Sequence, residues 1–305
     1  MAQTRPDTGP AAAAPPQDPP VIDVADLTYT YPRAAEPAVR GMDFSVGRGE
    51  VFGFLGPSGA GKSTTQKILT GLLTGARGTV RVWGRPPEEQ GADYYRRIGV
   101  SFELPNHYQK LTALENLEFF ASLYGGPAED PMALLRRVGL GDAARTRVGR
   151  FSKGMQTRLT FVRALLHRPE LVFLDEPTSG MDPSNARIVK EMIAELPGQG
   201  RTVFLTTHSM ETAEELCDRV AFVVDGRIAA MDSPEELRLA RSRRTVRVAY
   251  RGEDGRLESA EFPLDGMADD AALHALLRER RIESVHSQEA GLDDVFVEVT
   301  GRSLG

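Results

Sequence analysis

The stretch that decides the fold is Gly56-Pro57-Ser58-Gly59-Ala60-Gly61-Lys62-Ser63-Thr64. It fits G-x-x-x-x-G-K-[ST], a glycine-rich turn that closes around a phosphate. Gly56, Gly59 and Gly61 carry no Cβ, so the backbone N–H groups of the turn, those of Ser58 and Ala60 included, can wrap the anion closely, while Pro57 lies within the span without a donor of its own. The apolar run Val51 to Leu55 before it reads as a buried strand, and the spacing after it predicts a helix over Thr64 to Leu73. Strand, loop and helix come in the order that aims an amide-rich helix N-terminus at the phosphates. Lys62 then reaches the β and γ oxygens, and the Ser63 hydroxyl is placed to ligate Mg²⁺. The chain has five lysines, at 62, 67, 110, 153 and 190, among 37 basic residues, so a lysine here stands out against a background of arginine.

A phosphate loop alone leaves kinases, GTPases and motor ATPases open. The run Leu171-Val172-Phe173-Leu174 reads as a buried strand that delivers Asp175 to the carboxyl end of a parallel sheet, opposite Ser63 and within reach of its metal. Glu176 follows at once, one residue nearer the γ-phosphate, where a carboxylate can polarise water as general base. Thr202 to Thr207 reads as another buried strand ending at His208, whose protonation responds to charge beside it near neutral pH.

With Phe151-Ser152-Lys153-Gly154-Met155, these residues resemble the nucleotide-binding subunit of an ATP-binding-cassette (ABC) transporter over about residues 21 to 233. The resemblance implies an α/β P-loop NTPase: a RecA-like core with an antiparallel β subdomain and a helical signature subdomain at about 104–168. It implies ATP and Mg²⁺ as cofactors. Ser152-Lys153-Gly154-Met155 looks like the family's signature loop, Ser179-Gly180-Met181-Asp182 like its D-loop, His208 like its switch histidine, and Tyr31 like the aromatic that stacks on adenine.

Ser152 and Gly154 would open a helix whose free amides favour an anion. In the family that anion is the γ-phosphate held by a second subunit, so the resemblance implies a head-to-tail homodimer with two ATP molecules between the copies. Asp182 would run along that interface. One departure from the pattern matters. Where the family places a glutamine that touches Mg²⁺ or water, this chain has Glu103, which can ligate a metal but cannot donate a hydrogen bond when ionised. Asn106 and His107 are candidates to share that role. The segment Leu111 to Tyr124 has helical apolar spacing, and its exposed face is where a membrane subunit would dock.

The rest of the chain is consistent with this assignment. A net charge of −6 gives no reason to expect nucleic acid, and the arginine cluster at 238–247 reads as a solvated linker. No apolar run reaches the roughly 18 residues that span a bilayer, and the N-terminus has no signal peptide. A membrane permease partner must do the crossing, with this chain peripheral on the cytoplasmic face of a bacterial membrane. Cys217 is the one cysteine, so no intramolecular disulfide framework exists.

Residues 1–20, rich in proline and alanine, read as a disordered tail, and 234–305 as a small accessory α+β domain. Its end, Gly291-Leu292-Asp293-Asp294-Val295-Phe296-Val297-Glu298-Val299-Thr300-Gly301, resembles the closing segment of ABC-2-type export ATPases of the daunorubicin-resistance kind. The expected function is therefore ATP hydrolysis driving ABC-2-type export of a drug or other amphipathic small molecule. Three alternatives stand beside it: an importer ATPase, a soluble non-transport ABC ATPase, and a nucleotide-sensing module without turnover.

Overall fold

The computed structural model describes residues 19–241, 245–287 and 290–302. Most of the proline-rich tail therefore lies outside the described residues. The chain starts with β1 (Ile22–Tyr29), β2 (Val39–Val46) and β3 (Val51–Leu55), then the phosphate loop and α1 (Lys62–Leu69), followed by β4 (Arg77–Val82), α2 (Ala92–Arg97) and β5 (Ile98–Ser101). Three helices follow, α3 (Ala113–Tyr124), α4 (Pro131–Arg137) and α5 (Lys153–Leu165). The second half alternates β6 (Leu171–Asp175), α6 (Pro183–Glu195), β7 (Thr202–Thr207), α7 (Met210–Leu216), β8 (Arg219–Val224), β9 (Arg227–Asp232) and α8 (Pro234–Leu239). The C-terminal part holds β10 (Thr245–Arg251), β11 (Leu257–Pro263), α9 (Ala271–Glu279), β12 (Arg281–Ser287) and α10 (Leu292–Thr300).

The main sheet has six strands in the order β5-β6-β7-β3-β8-β9, parallel except for β9 at the edge. Every residue of β3, β6 and β7 is buried, which is why they read as unbroken apolar runs rather than alternating ones. Alternate side chains of β3 serve two cores. Val51 and Leu55 face one shared with α5, α6 and α7, while Phe52 and Phe54 face another shared with the antiparallel sheet β2-β1-β4 and with α1. Phe44, Phe52, Phe54 and Phe204 stack in that second core with centroids 5.1–6.2 Å apart. The parallel order carries Leu55, Asp175 and Thr207 to the same end of the sheet, where nucleotide sites of such folds lie.

Helix α1 is shorter than the spacing predicts: it stops at Leu69, Thr70 caps it, and Gly71 at φ +73° turns the chain away. A third sheet, β11-β10-β12, with α9 makes a separate small core of Val246, Val248 and Leu273. Helix α10 does not belong to it. Leu292, Val295 and Phe296 are buried in the core of the main sheet, against α7, α8 and β9, so the C-terminal segment divides between two bodies of packing.

Candidate active site

The loop between β3 and α1 is held open by its glycines. A Cβ at Gly56 would lie 2.0 Å from the Val223 carbonyl oxygen, and one at Gly61, where φ is +106°, would lie 2.7 Å from that of Ala38. No other residue fits either place, and the cradle this leaves is the shape a phosphate needs. Lys62 folds over the loop, its Nζ donating to the carbonyls of Gly56 at 2.5 Å and Pro57 at 3.1 Å. Burial pulls the Lys62 ammonium below the usual lysine range, and the carboxylates of Glu176, Asp175 and Glu103 pull it back up. Three carboxylates thus act on one buried ammonium that lines the cleft.

Asp175 ends β6 with its carboxylate between two hydroxyls. Ser63 Oγ stands 3.3 Å from Oδ2, and Thr206 Oγ1 donates to Oδ1. Next to it the chain bends: Glu176 has φ +48°, in the left-handed region that a Glu adopts at a cost of about 1–2 kcal/mol. The bend is fixed by its N–H donating to Thr206 O at 2.9 Å. It turns the Glu176 carboxylate toward the end of β7, where Thr207 Oγ1 donates at 3.1 Å and His208 Nδ1 lies at 2.7 Å.

These groups line one cleft of about 430 Å³, together with Tyr31, Ser58 to Thr64 and Glu103. Tyr31 stands at its mouth, its hydroxyl 3.0 Å from Thr64 Oγ1 and its ring edge-on to Tyr29. Tyr29 is buried in the core, whereas Tyr31 is 36% exposed and lines the cleft. Ser63, Asp175 and Glu103 supply only oxygen atoms, the donor set of a hard divalent cation such as Mg²⁺. Among the described residues no cluster of three or more His, Cys, Asp or Glu side chains can hold a metal alone.

Ser152, Gly154 and Asp182 are not in this cleft. They form a second surface at the N-termini of α5 and α6. Ser152 caps α5, accepting from Met155 N at 3.2 Å, and Asp182 caps α6, accepting from Asn185 N at 3.1 Å. The two loops touch: a Cβ on Gly154 would lie 3.0 Å from Gly180 O, and Thr157 Oγ1 donates to Ser179 O at 3.5 Å.

The structure corrects one expectation. Asn106 and His107 share nothing with Glu103, because both turn toward α5. Arg163 donates to Asn106 O and Oδ1 at 2.9 and 2.6 Å and to His107 Nδ1 at 3.4 Å, with its guanidinium 4.5 Å above the Phe120 ring. His107 Nε2 meets Gln156 O at 3.1 Å and Thr160 Oγ1 at 2.9 Å. Burial and the Arg163 charge push the imidazole down to about 4, against the bond to Gln156, so it is neutral with its proton on Nε2. Only Glu103 from this segment faces the cleft.

Sequence reading missed the hydroxyls that aim the carboxylates. Thr206 and Thr207 break the apolar run of β7 and are fully buried, which is the signal that was available. It also missed Gln66, whose Oε1 lies 3.5 Å from Thr206 Oγ1 behind Asp175.

Two family models match the chain, described as ABC transporter over residues 39–179 and as fluoroquinolone efflux ABC transporter C-terminal domain over residues 244–289. The chain is 68% identical over 284 residues to the fluoroquinolones export ATP-binding protein of Mycobacterium tuberculosis strain H37Rv, covering 93% of this chain and 94% of that one. This chain belongs to the ATP-binding subunits of ABC transporters. The ABC subunit is also 34% identical to the Nod factor export ATP-binding protein I of Rhizobium etli, over 93% of its own length and 94% of the relative's. Its fold matches the solved structure of an ATP-binding subunit of an ABC transporter at a TM-score of 0.66 and 31% identity, over 72% of this chain and 92% of that one. It also matches a dimeric post-hydrolysis cassette bound to ADP and Pi, at a TM-score of 0.63 and 25% identity, over 70% and 98%. The ABC subunit is an ATPase with the cassette fold, as the P-loop and the β6 and β7 strand ends imply.

Proposed function

We propose that this ABC subunit energises an ABC-2-type exporter whose cargo is a fluoroquinolone or a similar aromatic amphipath. The observation that carries the reading is the double match: beyond the cassette, residues 244–289 fit the C-terminal domain of fluoroquinolone efflux transporters. Generic cassettes share the P-loop, so the small sheet β11-β10-β12 is what narrows the class.

In this reading two copies pack head to tail. The cleft of one binds the nucleotide, with Tyr31 on the base, Lys62 and the loop amides on the phosphates, and Ser152 and Gly154 of the other copy closing over the γ-phosphate. The placement of Ser152, Gly154 and Asp182 outside their own cleft supports this, since amides opening a helix favour an anion that one chain does not bring to them. Ser63, Asp175 and Glu103 hold Mg²⁺, which supplies charge neutralisation on the phosphate oxygens when bound. Glu176 takes the proton of the attacking water, and Thr207 and His208 hold its carboxylate in line. Asp182 couples the two sites across the interface.

The membrane partner is a permease, and no described helix of this chain is long and apolar enough to cross a membrane. Its docking surface is on the helical subdomain, where Leu104, Tyr108, Phe119 and Leu123 are exposed by 39–78% beside the segment that carries Glu103. Apolar patches of that kind mark contact surfaces. The subunit then sits peripherally on the cytoplasmic face. The test is transport in inverted membrane vesicles containing the chain and its permease. ATP-dependent fluoroquinolone uptake, lost with Glu176→Gln, supports the reading. Uptake that ignores ATP or the Glu176 substitution defeats it, and ATPase stimulation only by a different class of compound defeats the cargo.

A further inference from the structure

We propose that the C-terminal helix α10 is a positioning brace for the phosphate loop, so that docking of α10 and occupancy of the nucleotide cleft are coupled. The proposal rests on the reading of that cleft as the nucleotide site. Strand β8 and its turn underlie the loop at three points. The Leu55 position pairs with Phe222, the Val223 carbonyl fills the space a Gly56 side chain would need, and Gly226 N–H donates to Ala60 O at 3.1 Å. Asp225 and Gly226 both have positive φ, +48° and +78°, as a two-residue hairpin turn between β8 and β9 requires.

Helix α10 grips this platform from below and at its tip. Phe296 packs edge-on against Phe222 with centroids 5.2 Å apart, and both rings are fully buried. Just past its C-terminus, Arg302 donates to Asp225 Oδ1 at 2.9 Å, next to the residue that bonds Ala60. At its other end, the N–H of Leu292 donates to Glu214 Oε1 at 2.9 Å on α7, the helix that Ser209 opens directly after His208. One helix thus touches the element under the phosphate loop and the element behind the switch histidine. Anything that shifts α10 has a short, packed route to both, and by linkage a nucleotide seated in the loop favours the docked helix by the same factor.

The experiment is ADP binding to the full chain, with hydrogen exchange of residues 292–300 measured with and without ADP. The exposed position of Arg302 makes Arg302→Glu safe for folding and limits its effect to that of a surface ion pair. The expected results are an ADP Kd raised about two- to fivefold by Arg302→Glu, near-normal binding by Arg302→Lys, and slower exchange in α10 when ADP is present. Unchanged affinity in Arg302→Glu, or α10 exchange indifferent to ADP, overturns the brace. Lys62→Ala is measured beside them: an Lys62→Ala chain that binds ADP normally overturns the site assignment, whereas its loss of binding with a silent Arg302→Glu overturns the brace alone.

Discussion

His208 Nδ1 lies 2.7 Å from Glu176 Oε1, although the ring is 62% exposed and the carboxylate only 13%. The exposed imidazole contacts a largely enclosed carboxylate that lines the cleft. Replacing Glu176 with Gln keeps the size and a partner for Thr207 but removes the carboxylate proposed as the base. Phosphate release is expected to fall about 10²- to 10⁴-fold while ATP binding persists. Size-exclusion mass with ATP·Mg²⁺ is expected to show the variant held as a dimer. Equal turnover in wild type and Glu176→Gln would sink the assignment.

Glu103 brings a carboxylate where a glutamine brings an amide. With Glu176 and Asp175 it makes three carboxylates facing the cleft, and all three raise Lys62 against its burial. Glu103→Gln is expected to weaken divalent-cation binding by roughly three- to tenfold, the scale of one solvent-screened charge interaction. Mn²⁺ titration by electron paramagnetic resonance, with a non-hydrolysable ATP analogue bound, reads this without turnover. An unaltered Mn²⁺ affinity would take Glu103 out of the metal site.

The signature and the phosphate loop of one chain occupy different surfaces, and the proposed head-to-tail dimer draws each site from both copies. Lys62→Ala spoils one half and Gly154→Asp the other, because a carboxylate at 154 repels the phosphate and its Cβ crowds Gly180 O at 3.0 Å. Each variant alone is expected to be nearly inactive. Mixed in equal amounts, they form some dimers in which the intact loop of one faces the intact signature of the other, and phosphate release partly returns. No recovery on mixing would mean that the signature acts within its own chain.

Much of this was legible because the motifs are local. The loop 56–64 and the strands ending at Asp175 and Thr207 announce themselves by glycine spacing and by apolar runs, and Ser152 by its place as helix cap. What pairs across the chain was not. The bond from Thr206 to Gln66 joins residues 140 apart in sequence, and Arg163 reaches back 57 to Asn106, distances over which no periodicity carries information. The end of α1 at Leu69 was readable from Gly71, which the apolar residues Leu72 and Leu73 masked. The packing of α10 on the main core was not, since its apolar face of Leu292, Val295 and Phe296 fits any core equally well.

His107 gives a stability signature in acid. Its imidazole is held down at about 4 by burial and by Arg163, against an ordinary 6.5 in the unfolded chain. Between pH 6.5 and 4 the unfolded chain therefore binds a proton that the folded chain refuses, and stability falls as pH drops through that window while being insensitive to this group above it. The full span is worth about 3 kcal/mol. His107→Gln cannot take up the proton, yet its amide can still donate to Gln156 O. Urea midpoints at a series of pH values are expected to show a shallower acid limb for His107→Gln, with the wild type ahead near pH 7.5 and the gap closing toward pH 4. His167, also lowered by burial, is present in both chains and cancels in the comparison. Two limbs running parallel would show that His107 accepts its proton in the folded state, and that the Arg163–His107 contact to α5 is not as closely packed as the distances state.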